Sequence, residues 1–240
     1  MNKLSYLFFS GMLLLCACKK EPKEEALPSL EGTYESTPTI LAINPIVMYT
    51  VNGAINNQTV IEKFMRRNSV TPNPLLFSIS NITDPNGVLY TLTISPDNKA
   101  TIVSKHSFII NTTNYAIISR SSEVIHLLAI DSAAARRYDI TSRCAMLNES
   151  IPAVRTPERC QPVAPGSFCK FRATTLISIV NGQLLAPQLG YYVKLQQSPN
   201  TYCSLGSGGL WNKFNSSIVN QLISGDTLLV QERAFAFRKK

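Results

Sequence analysis

The sequence has few of the residues from which catalytic sites are most often built. Histidine occurs only twice among 240 residues, at His106 and His126, and the two are far too distant in sequence for a helical metal-binding pair. No Gly-x-Ser-x-Gly segment is present to hold a nucleophilic serine on a strand-to-helix turn. His126 lies two residues from both Val124 and Leu128 and so shares their face of a predicted strand, which favours a structural role. We therefore predict no catalytic residue, no metal site and no cofactor.

Acidic residues are also sparse. There are 15 Asp and Glu against 23 Lys and Arg, which gives a formal charge of +8. Glycoside hydrolysis needs two carboxylates that converge in space, and no pair stands out from the pattern. The central acidic residues are Asp84, Asp97, Glu123, Asp131, Asp139, Asp226 and Glu232. The basic residues are scattered rather than clustered, so nucleic acid is not an expected partner.

Long apolar segments are absent except at the start of the chain. Lys3 precedes an apolar run over 4–15. A transmembrane helix needs about 20 apolar residues, so this run is too short to span a bilayer. It matches the roughly 7–15-residue apolar core of a signal peptide.

The residues that follow this run are Leu15-Cys16-Ala17-Cys18. They resemble the lipobox of bacterial lipoproteins, in which an aliphatic, a variable and a small residue precede the lipidated cysteine. The resemblance implies thioether lipidation of Cys18, cleavage after Ala17 and acylation of the new N-terminus. Cys16 is the competing residue, but Leu15 is larger than the residue usually found at this cleavage site. The alternative is an ordinary secretory signal that contains a cysteine by chance.

These features divide the chain into three parts. Residues 1–17 are the expected signal peptide, 18–30 the lipidated N-terminus with a flexible tether, and 31–240 a single globular domain. The tether is charged and has little to bury, so it should stay solvated. Lys19, in place of aspartate, resembles the sorting pattern of outer-membrane lipoproteins. Lys23-Glu24-Glu25 resembles a surface-export signal, so the periplasmic and surface faces both stay open.

Four cysteines follow Cys18, namely Cys144, Cys160, Cys169 and Cys203. An even number in an exported domain predicts two disulfides. No short Cys-x-x-Cys pair occurs, which disfavours zinc. Of the three possible connectivities, we predict Cys144–Cys160 with Cys169–Cys203.

The body of the chain predicts a mainly β fold with a few short helices (α+β). Short turns separate the strands, which predicts an antiparallel meander, as a curled sheet or a barrel-like structure. Val88, Tyr90, Leu92 and Ile94 alternate with Leu89, Thr91, Thr93 and Ser95 and give the clearest half-buried strand. A strand is also predicted near 75–80. Helical periodicity predicts helices over 57–67 and 211–222. It also predicts one or two short helices from Ala133 to Arg137 and at Ile140, Cys144 and Leu147.

The opening Gly32-Thr33-Tyr34 resembles the Gly-x-Trp opening of lipocalin-like barrels. The whole arrangement resembles uncharacterised lipoproteins of the bacterial envelope, which implies no particular activity. We expect a non-catalytic binding or structural module at the cell envelope, with an envelope hydrolase that assembles its site in space as the alternative. Expected partners are the membrane, through the N-terminal lipid, and either an apolar small molecule or an envelope component.

Replacing Cys18 tests the lipobox assignment. Cys18→Ser should leave the precursor uncleaved by the lipoprotein peptidase, because that enzyme acts after the cysteine has been lipidated. Metabolic labelling with a fatty-acid probe should then give no signal. Normal labelling of this variant would move the modification to Cys16 or remove it from this motif.

Overall fold

The computed structural model describes residues 29–70, 77–78, 80–84, 87–137, 143–155, 158–163, 167–198 and 201–240. In chain order the elements are β1 (Gly32–Leu41), β2 (Val47–Thr50), β3 (Gly53–Ile55), α1 (Gln58–Arg67), β4 (Ile82–Thr83), β5 (Leu89–Ser95), β6 (Lys99–His106), β7 (Ile109–Arg120), β8 (Val124–Ala129), β9 (Ala133–Arg137), α2 (Arg143–Ser150), β10 (Glu158–Pro162), β11 (Ser167–Phe171), β12 (Thr174–Val180), β13 (Gln183–Ser198), β14 (Thr201–Leu210), a 3-10 helix (Ser216–Gln221) and β15 (Thr227–Lys239).

Eight of these strands form a closed antiparallel barrel. The ring follows the chain through β1, β5, β6, β7, β8, β12, β13 and β15, and β15 pairs back onto β1. Each neighbour in the ring is also the next barrel strand in sequence, which makes the barrel an up-and-down meander. The predicted mainly β, barrel-like meander is therefore confirmed.

Tight turns set the register of this meander. Val180 pairs with Gln183, so Asn181 and Gly182 alone connect β12 to β13. Both turn residues have positive φ, 50° and 77°. Such two-residue turns match the twist of the strands that they join, and asparagine and glycine adopt them at low cost.

The inside of the barrel is a packed apolar core. All eight barrel strands contribute to one cluster of buried side chains, which includes Leu92, Ile125, Ile177 and Phe235. Alternation in β5 directs Leu92 and Ile94 inward, as predicted. Burying a large apolar side chain contributes about 1.5–3 kcal/mol, so this core is a major source of stability.

The strands β13 and β15 are longer than the barrel and continue beyond it. There they form a second sheet in the order β14, β13, β15, β2 and β3. Tyr191 packs in the cluster on one face of this sheet, and Tyr192 packs against the cluster on the other. The helix α1 covers the Tyr192 face, where Ile61 and Met65 are buried. The 3-10 helix and α2 cover the opposite face.

The predicted helix over 57–67 is confirmed as α1. Asn57 caps its first turn by accepting a hydrogen bond from the Val60 N–H at 3.3 Å. Arg66 and Arg67 lie in its last turn, where they complement the helix dipole. None of the helices in the described part of the chain is long and apolar enough to cross a membrane.

A small separate sheet corrects two predictions. The strands β9, β10 and β11 form it, so a short helix at 133–137 is wrong, whereas the short helix predicted at Cys144 and Leu147 is confirmed as α2. Strand pairing with β11 overrides the helical propensity of its alanines.

Cys160 and Cys169 face each other across β10 and β11 and are joined by a disulfide. The predicted Cys144–Cys160 and Cys169–Cys203 connectivity is therefore wrong. Cys203 is also disulfide-bonded.

The helix predicted over 211–222 is also wrong. The glycine-rich segment Gly206–Gly209 belongs to β14, which pairs with β13, and the helical turns are confined to the 3-10 helix. The backbone carbonyl of Trp211 accepts a hydrogen bond from the Leu176 N–H at 3.0 Å, which holds this segment against β12. The strand predicted at 75–80 lies mainly outside the described residues, and Phe77 and Ser78 are not in a strand.

The half-buried Trp211 packs against the barrel core. Its ring lies 4.8 Å from that of Tyr90 and 6.1 Å from that of Phe237, measured between centroids. Trp211→Ala should lower the free energy of unfolding by about 3 kcal/mol through the cavity it leaves. Phe108→Ala is the matched control, because Phe108 is fully exposed. Its effect should stay within about 0.5 kcal/mol. Equal melting temperatures for Trp211→Ala and the wild type would contradict the packing role.

Candidate functional site

A polar groove lies where β12 begins, between the barrel, the small sheet and α2. Its volume is about 540 Å³. Ligand sites commonly occupy roughly 300–1,000 Å³, so its size fits a small molecule or a short segment of polymer. The side chains that matter for its chemistry are Asn148, Glu149, Arg155, Glu158, Thr174, Tyr191, Ser207, Trp211 and Asn212.

Tyr191 ties three walls of the groove together. Its hydroxyl donates a hydrogen bond to Asn148 Oδ1 of α2 at 2.7 Å. Burial raises the pKa of the Tyr191 phenol, and a hydrogen bond with Ser207 of β14 partly offsets this rise. The side chain is only 2 % exposed, so β13, β14 and α2 meet around a fixed polar group.

Asn212 fixes the segment that follows α2. Its side-chain Nδ2 donates to the Val154 carbonyl at 2.8 Å, and its Oδ1 accepts from the Val154 N–H at 3.1 Å. Arg155 next to this segment donates from Nη2 to Ser150 Oγ at 2.7 Å. The lining of this part of the groove is therefore held in place without a ligand.

Asp226 anchors α2, which carries Asn148 and Glu149, to the sheet. The carboxylate accepts hydrogen bonds from the Arg143 guanidinium at the start of α2, from the Gln196 N–H at 3.0 Å and from the Ile223 N–H at 2.8 Å. Burial alone would raise the pKa of the Asp226 carboxyl. The hydrogen bonds, with Arg143 foremost, outweigh burial and hold the pKa below its usual value.

Thr174 lines the groove at the first residue of β12. Its Oγ1 is shielded from solvent and has no hydrogen-bond partner among the described residues. A buried hydroxyl left unsatisfied costs about 1–3 kcal/mol, so a ligand group or water that reaches it would recover free energy.

Two carboxylates line the same groove, and the sequence analysis missed both. Glu149 lies on α2 and Glu158 begins β10, with Arg155 between them in sequence. Only the fold brings them together, because a proline-containing irregular segment separates the two elements. No local spacing rule could have indicated this pair.

The residues singled out by sequence lie elsewhere. His106 is at the end of β6 and His126 is on the outer face of β8, and neither lines this groove. Cys18 lies outside the described residues. Glu158, Cys160 and Cys169 place potential metal-binding atoms within 4.8 Å of one another. Both sulfurs are bonded to each other in the disulfide, and thiolates are the form that binds metal, so these three residues do not make a metal centre.

Comparisons with known proteins identify no relative. No protein-family model, no curated protein and no solved structure matches the chain.

The anchoring of α2 gives a pH-dependent prediction. Asp226→Asn should lower the free energy of unfolding at pH 7 by about 2 kcal/mol, because it weakens hydrogen bonds from a charged partner. A carboxyl whose folded-state pKa is depressed contributes stability above its unfolded-state pKa, and this is lost as the pH falls through the folded-state pKa. The difference from the wild type should therefore shrink below about pH 4. Denaturant unfolding at both pH values measures it, and a difference that does not depend on pH would contradict this role.

Proposed function

We propose that the protein is a lipid-anchored binding protein of the cell envelope. In this proposal Cys18 carries the lipid that holds the chain at the outer membrane, and the groove between the barrel, the small sheet and α2 binds a polar envelope component. The N-terminal apolar run, the lipobox-like residues and the charged tether support the anchor.

The packing of the barrel favours a site outside it. A carrier of apolar cargo uses the interior of a closed barrel as its cavity. Here apolar side chains from all eight strands form one cluster in that space. The groove, by contrast, is open and presents fixed polar groups.

The composition of the groove favours a ligand with hydroxyl and amide groups, such as an amino-sugar glycan. Tyr191, Ser207, Asn148 and Asn212 supply hydroxyls and amides, and Trp211 adds an aromatic ring. The observation that carries the proposal is the buried Thr174 hydroxyl, which lines the groove with its hydrogen-bonding capacity unused among the described residues.

Binding of peptidoglycan fragments tests this proposal. Soluble disaccharide–peptide fragments are titrated into the mature protein by calorimetry, with dextran as a glycan that lacks amide groups. Saturable binding of the fragments, and weaker or no binding of dextran, is expected. Thr174→Val should weaken binding about tenfold, since one hydrogen bond to a buried group is worth about 1.4 kcal/mol.

The same substitution is a clean test because it removes no hydrogen bond within the described part of the protein. Its melting temperature should therefore match or exceed that of the wild type. Thr91→Val, on β5 and outside the groove, is the matched control and should bind normally. Equal affinities for the wild type and Thr174→Val, or no binding of any fragment, would overturn the assignment of the groove.

The second candidate function is an envelope hydrolase. The presence of Glu149 and Glu158 in one groove favours it, since glycosidases use two carboxylates around the scissile bond. Product formation from the same fragments, followed by mass spectrometry, distinguishes the two functions. Turnover that is lost in both Glu149→Gln and Glu158→Gln while binding persists would establish the hydrolase. Binding without turnover in the wild type supports the binding protein.

A further inference from the structure

The hairpin between β6 and β7 ends in an exposed apolar tip. Phe108 is 100 % exposed, Ile109 60 % and Ile110 62 %. His106 pairs with Ile109, so only Ser107 and Phe108 form the turn, with Ser107 at a positive φ of 51°. A short turn of this kind fixes the three apolar side chains at the end of a paired hairpin.

The exposure of this tip contrasts with the rest of the hairpin strands. Isolated apolar side chains on a surface are normal, but three consecutive ones at a protruding tip mark an interaction surface. Nearer the barrel, Ile102 and Tyr115 of the same two strands are buried in the barrel core. Burying Phe108 and Ile110 against an apolar phase would remove their exposed apolar surface from water.

Cations without a carboxylate partner among the described residues lie at the end of the barrel that carries this tip. Lys105 pairs directly with Ile110 in the hairpin and is exposed. In the small sheet, Arg159 and Lys170 face each other across β10 and β11, an arrangement that repels in the absence of an anion. None of these three has a salt bridge among the described residues.

The small sheet lies at the same end of the barrel as the tip. β8 ends at Ala129 and β12 begins at Thr174, both on the side toward which β6 and β7 extend their hairpin. Arg172, between β11 and β12, donates a hydrogen bond from Nε to the carbonyl of Ala129 and so joins the small sheet to the end of β8.

The opposite end of the barrel has cations that are already engaged. Lys240 contacts Glu35 at 3.1 Å, Lys99 contacts Asp97 at 2.5 Å, and Lys239 lies over the ring of Tyr34. The positive charge at the end of the barrel that carries the tip has no such partner among the described residues and is available to an external anion. An apolar tip flanked by cations has the composition that binds the interface of an anionic bilayer.

We propose that the β6–β7 hairpin inserts Phe108, Ile109 and Ile110 into the membrane interface, while Lys105, Arg159 and Lys170 contact anionic headgroups. The proposal rests on the proposed lipid anchor for its location and gives the anchored domain a fixed orientation. Gly32 is level with Tyr115 through the register of β1, β5, β6 and β7. The rise per residue along β7 and the spacing between strands place the tip about 25–30 Å from Gly32. The roughly dozen residues between Cys18 and Leu30 can span up to about 40 Å, so both contacts can be made together.

Tryptophan quenching in the membrane-attached protein tests the insertion. The full-length protein, processed and lipidated in cells, carries Phe108→Trp together with Trp211→Phe, so that one indole reports from the tip. In vesicles of brominated phosphatidylglycerol and phosphatidylethanolamine, its emission should shift to the blue and be quenched at least twofold. Ile118→Trp in the same background is the matched control, since it is exposed at the far end of β7. Quenching of the control alone, or of neither, would overturn the proposal.

Flotation separates this proposal from the lipid anchor. The mature chain without lipid, residues 19–240, contains the whole described fold. It should float with phosphatidylglycerol vesicles at low salt, less at 0.5 M salt, and less with neutral phosphatidylcholine. Phe108→Ser should reduce partitioning about tenfold, and Ile118→Ser should not. If mass spectrometry of the protein processed in cells shows an N-terminal peptide without lipid, the proposed anchor is rejected and the hairpin proposal is not. Flotation that is unaffected by Phe108→Ser, or a tip that binds a protein and no vesicles, would reject the hairpin proposal.

Discussion

The pairing of β13 with β15 is the interaction on which the rest of the structure depends. Ten residue pairs join Leu185–Lys194 to Thr227–Ala236, and one run of hydrogen bonds serves two sheets. At one end it forms part of the barrel wall, and at the other it is the middle of the sheet beyond the barrel. Because both faces are covered along much of its length, β15 is buried nearly throughout instead of alternating between buried and exposed residues.

A layer of polar side chains on these two strands lies between the barrel core and the apolar cluster beneath α1. Arg233 is 1 % exposed and lies opposite Gln188 on the face that is continuous with the barrel core. Burial lowers the pKa of the Arg233 guanidinium, and the charge of Asp84 opposes that change. Two residues earlier in β15, Gln231 Nε2 donates to the Ser78 carbonyl at 2.6 Å, and Gln231 Oε1 accepts from the Ser78 N–H at 2.7 Å. A misregistered pairing would break the two hydrogen bonds between Gln231 and Ser78, so this contact helps to specify the register of β15.

The parts of the fold that could be predicted are those governed by local chemistry. Alternation identified β5, and helical periodicity identified α1. The parts that were missed depend on distant partners. The spacing of Trp211, Phe214 and Ile218 imitates a helix, yet Trp211 packs on the barrel core while Phe214 and Ile218 pack on the sheet beyond it. Cys160 and Cys169 could be paired only once the β10–β11 hairpin was known, and Glu149 and Glu158 converge only through α2 and β10. The lipid anchor on Cys18 stays a prediction from sequence.

In the proposed function the barrel supports the binding sites and contains none of them in its packed interior. The apolar interior stabilises the barrel, β13 and β14 supply one wall of the polar groove, and the β6–β7 hairpin extends away from the core. In the proposed function the lipid holds the domain at the membrane and the groove binds a polar envelope component. Binding in the groove requires that β13 and β15 stay paired, because β13 supplies Tyr191 to its wall.

Native-state hydrogen exchange of the mature protein tests this dependence most directly. The slowest backbone amides should lie in the paired segments of β13 and β15, and they should exchange only through global unfolding. Their protection should be lost together with that of the barrel strands and of the β14 amides as denaturant is added. Barrel strands β5 to β8 that stay protected after β13 and β15 have exchanged would contradict the account.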